Sequence, residues 1–453
     1  MKDTRLSARL NACAGALRLI SPTVIEGRVT SISGAIVEID GFSGHLSAGD
    51  RIALLPRDKP PIPAEVVGLR NGCARVLPFA ASDGLGPGHA ARLLRGQGTS
   101  LAVSDGWLGR VTDPLGRPID GRGALPPGAQ PRPLRADPPE ATRRARLGPR
   151  LSLGVRALDC FTACREGQRL GLFAGSGIGK STLLAMLANG ADCDVAVLAL
   201  VGERGREVRE FLEDDLGPEG LARAVVVVAT SDAPALARRQ AGLTAMTIAE
   251  YFRDKGKRVL LLMDSLTRYC LALREIGLAA GEPPATRGYP PSVFAELPRL
   301  LERAGPGEID PGQTGTITAL FTVLVEGDDH NEPVADAVRG ILDGHVILDR
   351  RIAEAGRYPP VDVLRSLSRA AAGCLDAAET ALVRRARGIL AVHADIADLV
   401  RLGAYRPGTD GTADEALRLT PRIEAVLRQD RHDLTPSTDA FSRLRAALET
   451  PDA

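Results

Sequence analysis

One segment in the middle of the chain restricts the fold more than any other. An apolar run ending in LGLFA leads into a loop of small residues, and a helical stretch, LLAMLANG, follows the loop. The loop consists of Gly175, Ser176, Gly177, Ile178, Gly179, Lys180, Ser181 and Thr182. In strand–loop–helix units of this kind, backbone N–H groups converge on phosphate oxygens at the helix N-terminus. The sequence therefore predicts a phosphate-binding loop on an α/β core.

The side chains around this loop have separate predicted roles. We expect Lys180 to contact the β- and γ-phosphates of a nucleotide and the Ser181 hydroxyl to occupy one Mg²⁺ position. The usual first glycine of the pattern is Ala174 in this chain. Because that position packs against the strand end and does not meet phosphate, we expect the replacement to have little effect.

Two carboxylates follow other apolar runs. Asp264 ends RVLLLMD, and a carboxylate on a buried strand is costly unless it faces a polar site, so we interpret it as the acid on the Mg²⁺ side. Glu203 follows VAVLALVG, where we expect it to activate the attacking water while Arg204 neutralises developing charge. The alternative for Asp264 is an ordinary cap for the next segment, SLTRY. The alternative for Glu203 and Arg204 is a solvated charge cluster.

The sequence pattern divides the chain into five parts. Residues 1–20 have one apolar face at helical spacing, and 21–95 contain short β runs separated by glycines. A Gly/Pro-rich connector over 96–150 leads to alternating apolar strands and helices over 151–365, and an Ala-rich helical region covers 366–453. After the first segment we predict a small β-barrel, a connector packed on the core, a parallel α/β core and a helical domain. The first segment fits either a partner-docking helix or a helix packed on its own domain.

Charge and composition exclude several classes of function. Lys plus Arg number 57 and Asp plus Glu 56, which gives a net charge of +1, and aromatic residues make up 3%. A nucleic-acid-binding surface is therefore not expected. No uncharged apolar stretch is long enough to span a membrane, and the first twenty residues contain no apolar signal core. The 7 cysteines form no C-x-x-C pair, so we expect free thiols in a reducing, cytosolic compartment.

The motifs together resemble a known family. The phosphate loop, GERGRE and LLLMDSLTRY, in that order, are similar to the catalytic subunits of rotary ATPases, which include F-type and V-type ATP synthases and type III export ATPases. The resemblance covers roughly residues 22–430. The segments TVLVEGDDHNEPVADAVRGILDGH and RYPPVDVLRSLSR resemble type III export ATPases specifically, and ATRGYPP favours their flagellar members. The resemblance implies a RecA-like P-loop ATPase core with an N-terminal β-barrel domain and a C-terminal helical domain.

The resemblance also implies roles for individual residues, with ATP and Mg²⁺ as the ligands. Arg369 in SLSR matches an arginine finger that reaches across a subunit boundary, and Tyr358 in GRYPP matches an aromatic residue that stacks on adenine. The family's catalytic positions fall here on Lys180, Ser181, Glu203, Arg204 and Asp264.

The implied function is Mg²⁺-dependent ATP hydrolysis by a homo-hexameric ring at the cytoplasmic face of the inner membrane. There the ring would help to unfold or release flagellar export substrates and chaperones. The implied partners are export gate membrane proteins, stalk proteins and a coiled-coil regulator docked on residues 1–20. The alternatives are an injectisome ATPase, a catalytic subunit of a proton-translocating ATP synthase, a non-catalytic ring subunit and an RNA-translocating ring. Glu203 argues against a non-catalytic subunit, and the nearly neutral, aromatic-poor chain argues against RNA.

Overall fold

The computed structural model describes most of the chain in two compact units. The described residues are 24–42, 44–70, 72–309, 314–325 and 332–449. One unit comprises residues 24–100 with Ile276–Glu282, and the other comprises Leu101–Glu275 with residues 283–449. The predicted docking helix over residues 1–20 lies outside the described residues.

The first unit is a closed barrel of six antiparallel strands. They are β1 (Glu26–Ser33), β2 (Ile36–Asp40), β3 (Arg51–Leu55), β4 (Ile62–Arg70), β5 (Cys73–Pro78) and β6 (Ala90–Leu93). They close in the order β1-β2-β5-β4-β3-β6. Val37, Ile39 and Val76 are among the buried residues that fill the interior. The predicted barrel is confirmed, and its sixth strand, AARL, lies in a run too short to stand out from the sequence.

A nine-stranded, mainly parallel sheet forms the centre of the second unit. The strands outside the barrel, not all of which belong to this sheet, are β7 (Ser100–Leu101), β8 (Arg110–Thr112), β9 (Arg132–Pro133), β10 (Arg150–Leu151), β11 (Cys164–Arg165), β12 (Arg169–Ala174), β13 (Val195–Glu203), β14 (Ala224–Thr230), β15 (Arg258–Asp264), β16 (Gly305–Pro306), β17 (Thr316–Leu324), β18 (Gly344–Ile347) and β19 (Leu367–Ser368). Strands β7 and β9 form one separate two-stranded sheet, and β10 and β11 form another. The sheet order is β19-β18-β12-β17-β15-β13-β14-β8, and β16 also pairs with β17. Among the described residues of this sheet, only β16 and β19 pair antiparallel with their neighbours.

Two short strands from outside the predicted 151–365 core join the central sheet. The connector over 96–150 does more than pack on the core, because its strand β8 pairs in parallel with β14 and extends the central sheet. The helical region starts later than residue 366, since β19 is still part of the sheet and the first long helix after it begins at Ala377. Strand pairing overrides local composition in both places, because two or three residues suffice to add an edge to an existing sheet.

The helices cover both faces of this sheet and form the C-terminal region. They are α1 (Arg156–Phe161), α2 (Lys180–Gly190), α3 (Gly205–Glu210), α4 (Gly217–Ala222), α5 (Ala235–Arg253), α6 (Leu266–Ala280), α7 (Pro291–Arg303), α8 (Pro333–Ile341), α9 (Arg350–Glu354), α10 (Ala377–Arg401), α11 (Gly411–Leu427) and α12 (Ser437–Glu449). Short 3-10 turns occur at Asp105–Trp107, Thr286–Gly288 and Ala371–Gly373, and a π-helical turn at Phe211–Leu216. Within the described part of the chain, no helix has the length and apolar character needed to cross a membrane.

Burial on two faces explains the continuous apolar strands. Alternate residues of β13 enter different cores: Leu198 and Leu200 pack in the core that contains α2 and the C-terminal helices, whereas Val197 packs in the core that contains α5. Strands covered on both sides lose the polar alternation of a half-exposed sheet. The predicted parallel α/β core is therefore present, and its strands end at one common edge.

Candidate active site

The phosphate-binding loop leaves the sheet at its centre. Strand β12 ends at the buried Ala174, five loop residues follow, and α2 begins at Lys180. Gly179, the residue before the helix, has φ of 92°, a left-handed conformation that favours glycine. Ile178 is buried in the core and anchors the loop, whereas Ser181 is exposed. The loop therefore has the strand–loop–helix context that the sequence predicts.

A cavity of about 780 Å³ opens at this loop. It is lined by Gly175, Ser176, Gly177, Gly179, Lys180, Ser181, Thr182, Glu203, Arg204, Glu207, Arg268, Leu324, Val325 and Arg350. Glu203 comes from the carboxyl end of β13 and Leu324 from that of β17. Because carboxyl ends of parallel strands meet at one edge, residues far apart in sequence line one cavity.

Lys180 bridges the two carboxylates that were predicted from the strand ends. Its Nζ donates to Asp264 Oδ1 and lies 3.4 Å from Glu203 Oε1. The Asp264 side chain is only 4% exposed, and its Oδ1 also accepts a 2.7 Å hydrogen bond from Thr322 Oγ1. Asp264 is thus buried beneath the lysine, while Glu203 faces the cavity.

Glu203 has the electrostatic character of a base. Burial raises the pKa of its carboxyl above the ordinary value, the Lys180 ammonium opposes this shift, and the Asp264 carboxylate adds to it. A carboxylate with a raised pKa accepts a proton more readily than a free one. The position and the pKa of Glu203 both suit the activation of a water molecule at the loop.

Besides Lys180, Arg268 is a cation next to Glu203, and the sequence did not indicate it. Arg268 Nε lies 3.7 Å from Glu203 Oε1, whereas the Arg204 side chain is 78% exposed and pairs with Glu207 at 3.5 Å. Gly202 makes this contact possible, because a Cβ there would come within 2.5 Å of the Arg268 side chain. Arg268 lies in SLTRY, part of the family motif LLLMDSLTRY, in which sequence reasoning assigned a role only to Asp264.

Arg350 is a second residue that the sequence did not indicate. Its Nη2 donates to the Ser176 carbonyl oxygen at 3.0 Å, so it holds the loop backbone in place. It is the first residue of α9, whose N-cap Asp349 accepts a 2.7 Å hydrogen bond from Arg351 N. The signal available in the sequence was the pattern Asp-Arg-Arg, which reads as a capped helix start.

A second cavity of about 450 Å³ adjoins the first. It is lined by Gly179, Thr182, Leu183, Met186, Gly356, Tyr358, Pro359, Arg428, Gln429, Asp430 and Arg431. Gly179 and Thr182 line both cavities. Tyr358 is 49% exposed, and a Cβ on Gly179 would lie 3.5 Å from its ring. A molecule with phosphates at the loop and a flat aromatic group at Tyr358 would fill both cavities, which is the shape of a nucleotide.

Arg156 fixes the far wall of this second cavity. It is 3% exposed, and its guanidinium donates to Arg428 O and to Asp433 Oδ2, both at 2.6 Å. Its backbone N–H donates to Gln429 Oε1 at 2.8 Å, and Gln429 N donates to Tyr358 O at 2.8 Å. Such a network attaches the wall both to α1 and to the chain segment that carries Tyr358.

Arg369 is the one predicted site residue that lies far from the loop. It follows β19, in which Ser368 pairs opposite Gly344 of β18. Since His345 of β18 pairs with Gly171, Arg369 lies level with the amino end of β12. The phosphate loop leaves the carboxyl end, about 10 Å or more away at roughly 3.3 Å per residue. The structure therefore does not bring Arg369 to the cavity of its own chain.

Ser181 and Asp264 fit the predicted Mg²⁺ in donor type. A hydroxyl and a carboxylate are the hard oxygen ligands that Mg²⁺ prefers, and the ion usually takes its other ligands from water and substrate phosphates. The described residues contain no group of three or more His, Cys, Asp or Glu side chains that could hold a metal by themselves. A metal at this loop would therefore depend on the nucleotide.

Comparison with known proteins identifies the family. The ATP synthase alpha/beta family nucleotide-binding domain matches residues 154–368, and the T3SS EscN ATPase C-terminal domain matches 375–446. A flagellum-specific ATP synthase of Caulobacter vibrioides is 52% identical over 97% of this chain and 100% of that protein. The chain belongs to the flagellum-specific and type 3 secretion ATPase family. It is an ATPase with the RecA-like, barrel and helical regions that the sequence predicted.

Other members of the ATPase family agree in sequence and fold. A type 3 secretion system ATPase of Xanthomonas euvesicatoria is 47% identical over 93% of this chain and 92% of that protein. The structure of the assembled ATPase EscN from the type III secretion system of enteropathogenic E. coli is similar with a TM-score of 0.85 and 40% identity, covering 93% of this chain and 100% of that chain. The similarity therefore extends over nearly the whole of this chain.

Proposed function

We infer that this chain is the Mg²⁺-dependent ATPase of flagellar type III protein export. The observation that carries the proposal is the cavity in which the phosphate loop, Lys180 and Glu203 meet, next to a second cavity lined by Tyr358. The 52% identity to a flagellum-specific relative over that protein's full length supports the flagellar assignment. ATP would extend from the loop to Tyr358, with its γ-phosphate near Glu203.

The side chains divide the chemistry of hydrolysis. Glu203 takes a proton from the attacking water, the water oxygen bonds to the γ-phosphorus, and the bond to the β–γ bridging oxygen breaks to release ADP. Lys180 neutralises charge on the β- and γ-oxygens, and Arg268 holds Glu203 in place. Ser181 and Asp264 would hold Mg²⁺, which when bound neutralises phosphate charge.

A ring completes the site by adding Arg369 from the neighbouring subunit. An arginine supplied in trans stabilises the charge of the phosphoryl-transfer transition state. The place of Arg369 at the amino end of β12 supports this role, because its own loop is out of reach. The relative EscN, whose structure is described as assembled, supports a ring, and a homo-hexamer is the proposed form.

The proposed partners follow from the relatives. The structure of EscN in complex with its central stalk EscO supports a stalk in this system, where a coiled-coil regulator would dock on residues 1–20. Export gate membrane proteins, substrates and chaperones would place the ring at the cytoplasmic face of the inner membrane. The 47% identity to a type 3 secretion system ATPase favours an injectisome role as the second candidate, with the same site chemistry.

Two experiments test the proposal. ATP hydrolysis by the purified chain should require Mg²⁺ and should rise per chain with protein concentration, because two subunits form each site. Deletion of the gene should abolish flagellar filaments, and the wild-type gene should restore them where the Lys180→Ala version does not. Normal filaments together with lost secretion of injectisome substrates would instead establish the second candidate.

A further inference from the structure

A buried hydrogen-bond network at the amino end of β12 holds the segment that carries Arg369. Gln168, the residue immediately before β12, is 0% exposed. Its Nε2 donates to Ser368 Oγ at 2.9 Å and to Asp343 O at 3.3 Å, and its Oε1 accepts from Arg165 N at 2.9 Å. A buried amide with all these bonds made has one orientation, since breaking any of them leaves an unpaired polar group.

The network reaches Arg369 by two routes. Ser368, the residue before it, donates from Oγ to Ala163 O at 2.7 Å while accepting from Gln168. The backbone N–H of Arg369 donates to Asp343 O at 2.9 Å, the same carbonyl that Gln168 contacts. Both the start of Arg369 and the side chain of its predecessor are therefore fixed by groups bonded to Gln168.

We propose that Gln168, acting with Ser368, is the positioning residue for Arg369 in the neighbouring subunit's active site. The inference rests on the proposed role of Arg369 in trans. An arginine that completes another subunit's site must project from a backbone held to a fraction of an ångström, because a misplacement of ~1 Å costs about 10²-fold in rate. The amide of Gln168 is fully buried, and its Nε2 bonds both Ser368 of the edge strand β19 and the carbonyl that accepts from Arg369 N.

Strand β12 connects the Gln168 network to the phosphate loop. Its carboxyl end carries the phosphate loop, its amino end carries Gln168, and it pairs along its length with β17 and in part with β18. The loop that binds nucleotide in one site and the arginine that serves the next site are thus attached to opposite ends of the same strand.

The test compares Gln168→Met with a matched control. Methionine keeps the length of the side chain but removes every hydrogen bond, so kcat should fall about 10- to 100-fold while KM for ATP stays within twofold. Gln240 is another glutamine with 0% exposure, located in α5 away from the edge strand, and Gln240→Met should leave kcat within twofold. A rise in KM equal to the fall in kcat would overturn the proposal.

Two further measurements separate positioning from folding. Ser368→Ala should reproduce the loss of kcat, and Ser368→Thr, which keeps the hydroxyl, should recover most of it. The Gln168→Met/Arg369→Ala double variant should be no slower than Arg369→Ala alone, since both changes remove the same function. Full additivity of the two losses would contradict the proposal even if Gln168→Met folds poorly.

The outcomes also distinguish this inference from the proposed function beneath it. If Arg369→Ala retains full activity, the trans role of Arg369 fails and Gln168 has nothing to position. If Arg369→Ala is inactive but Gln168→Met and Ser368→Ala are both fully active, only the positioning role fails.

Discussion

At the scale of single residues, two carboxylates on neighbouring strands have different surroundings. Asp264 is buried and bonded to Lys180 and Thr322, so its charge is fixed in place. Glu203 lines the cavity and has a raised pKa because of its burial. This difference supports the proposed division of roles, with Asp264 on the metal side and Glu203 in proton transfer.

Removal of the base should separate binding from chemistry. Glu203→Gln keeps the size of the side chain but cannot accept a proton, so kcat should fall by ~10²–10⁴ with ATP affinity near the parent's. Fluorescent-nucleotide titration and steady-state hydrolysis measure the two quantities. Glu210→Gln, on the exposed surface of α3, is the control and should behave as the parent. A preserved kcat in Glu203→Gln would mean that another group positions the water.

Removal of the loop lysine should affect both quantities. Lys180→Ala deletes the cation proposed to contact the β- and γ-oxygens, so hydrolysis should be abolished and nucleotide binding weakened. Circular dichroism checks that the variant is folded. Hydrolysis within threefold of the parent rate would show that the loop is not the site.

At the scale of elements, the short helix α1 connects the central sheet to the C-terminal helices. Its Arg156 binds the segment that forms one wall of the second cavity. On the same helix, Asp159 accepts hydrogen bonds from Leu153 N at 2.8 Å and Gly154 N at 3.1 Å. Gly154 O in turn accepts from Gln429 Nε2 at 2.8 Å, so Asp159 supports the same junction.

This junction should make stability depend on pH. Burial raises the pKa of Asp159 to about 7. Because an unfolded Asp has a pKa of about 3.9, the folded state holds the proton more tightly, and the free energy of unfolding should fall as pH rises from about 4 to about 7. The limiting slope for one proton is about 1.4 kcal/mol per pH unit. Urea unfolding at several pH values measures it.

Asp159→Asn provides the comparison for this pH dependence. The amide cannot titrate, so the contribution of Asp159 to the slope should disappear, whatever the variant's absolute stability. The free energy of unfolding of Asp159→Asn and of the parent should be compared between about pH 5 and 7, which lies within the range set by the two pKa values. If its slope against pH is the same in both proteins, other groups cause the pH dependence.

The elements also show what could be predicted from sequence. Glu203 and Asp264 each follow an apolar run directly, so their place at the sheet edge could be inferred from linear order. Thr322 lies inside the apolar strand β17, and only the pairing of β17 with β15 brings it to Asp264. The Arg268 side chain packs over Gly202 and so comes close to Glu203. No local sequence pattern predicts this tertiary contact.

At the scale of the whole molecule, the barrel, the α/β core and the helical region could be predicted because each has its own sequence pattern. The patterns are short strands, alternating strands and helices, and helices alone. The connector and the region after residue 366 were less predictable. Strands β8 and β19 contain only three and two residues, and their place is set by the sheet edges they join. Arg369 was assigned from resemblance, and the structure places it level with the amino end of β12, away from the loop of its own chain.

Mixing two inactive proteins should test the ring. Arg369→Ala should lose ~10³ or more in rate, and Lys180→Ala should be inactive because it lacks a usable loop. In equal mixtures of randomly ordered head-to-tail rings, about one quarter of boundaries pair an intact loop with an intact arginine, so roughly a quarter of the sites should recover. No recovery, when light scattering shows mixed rings, would place Arg369 in a purely structural role.

The separation of Arg369 from its own loop by the length of β12 has a consequence for assembly. If Arg369 completes the neighbouring subunit's site, as proposed, a symmetric pair of chains cannot complete both of its sites, because each contact joins unlike faces. In such a ring, each subunit would supply its arginine to one neighbour and receive an arginine from the other, so the ring would have a direction. A signal such as a docked stalk could then pass from site to site in a fixed circular order, although all subunits are identical.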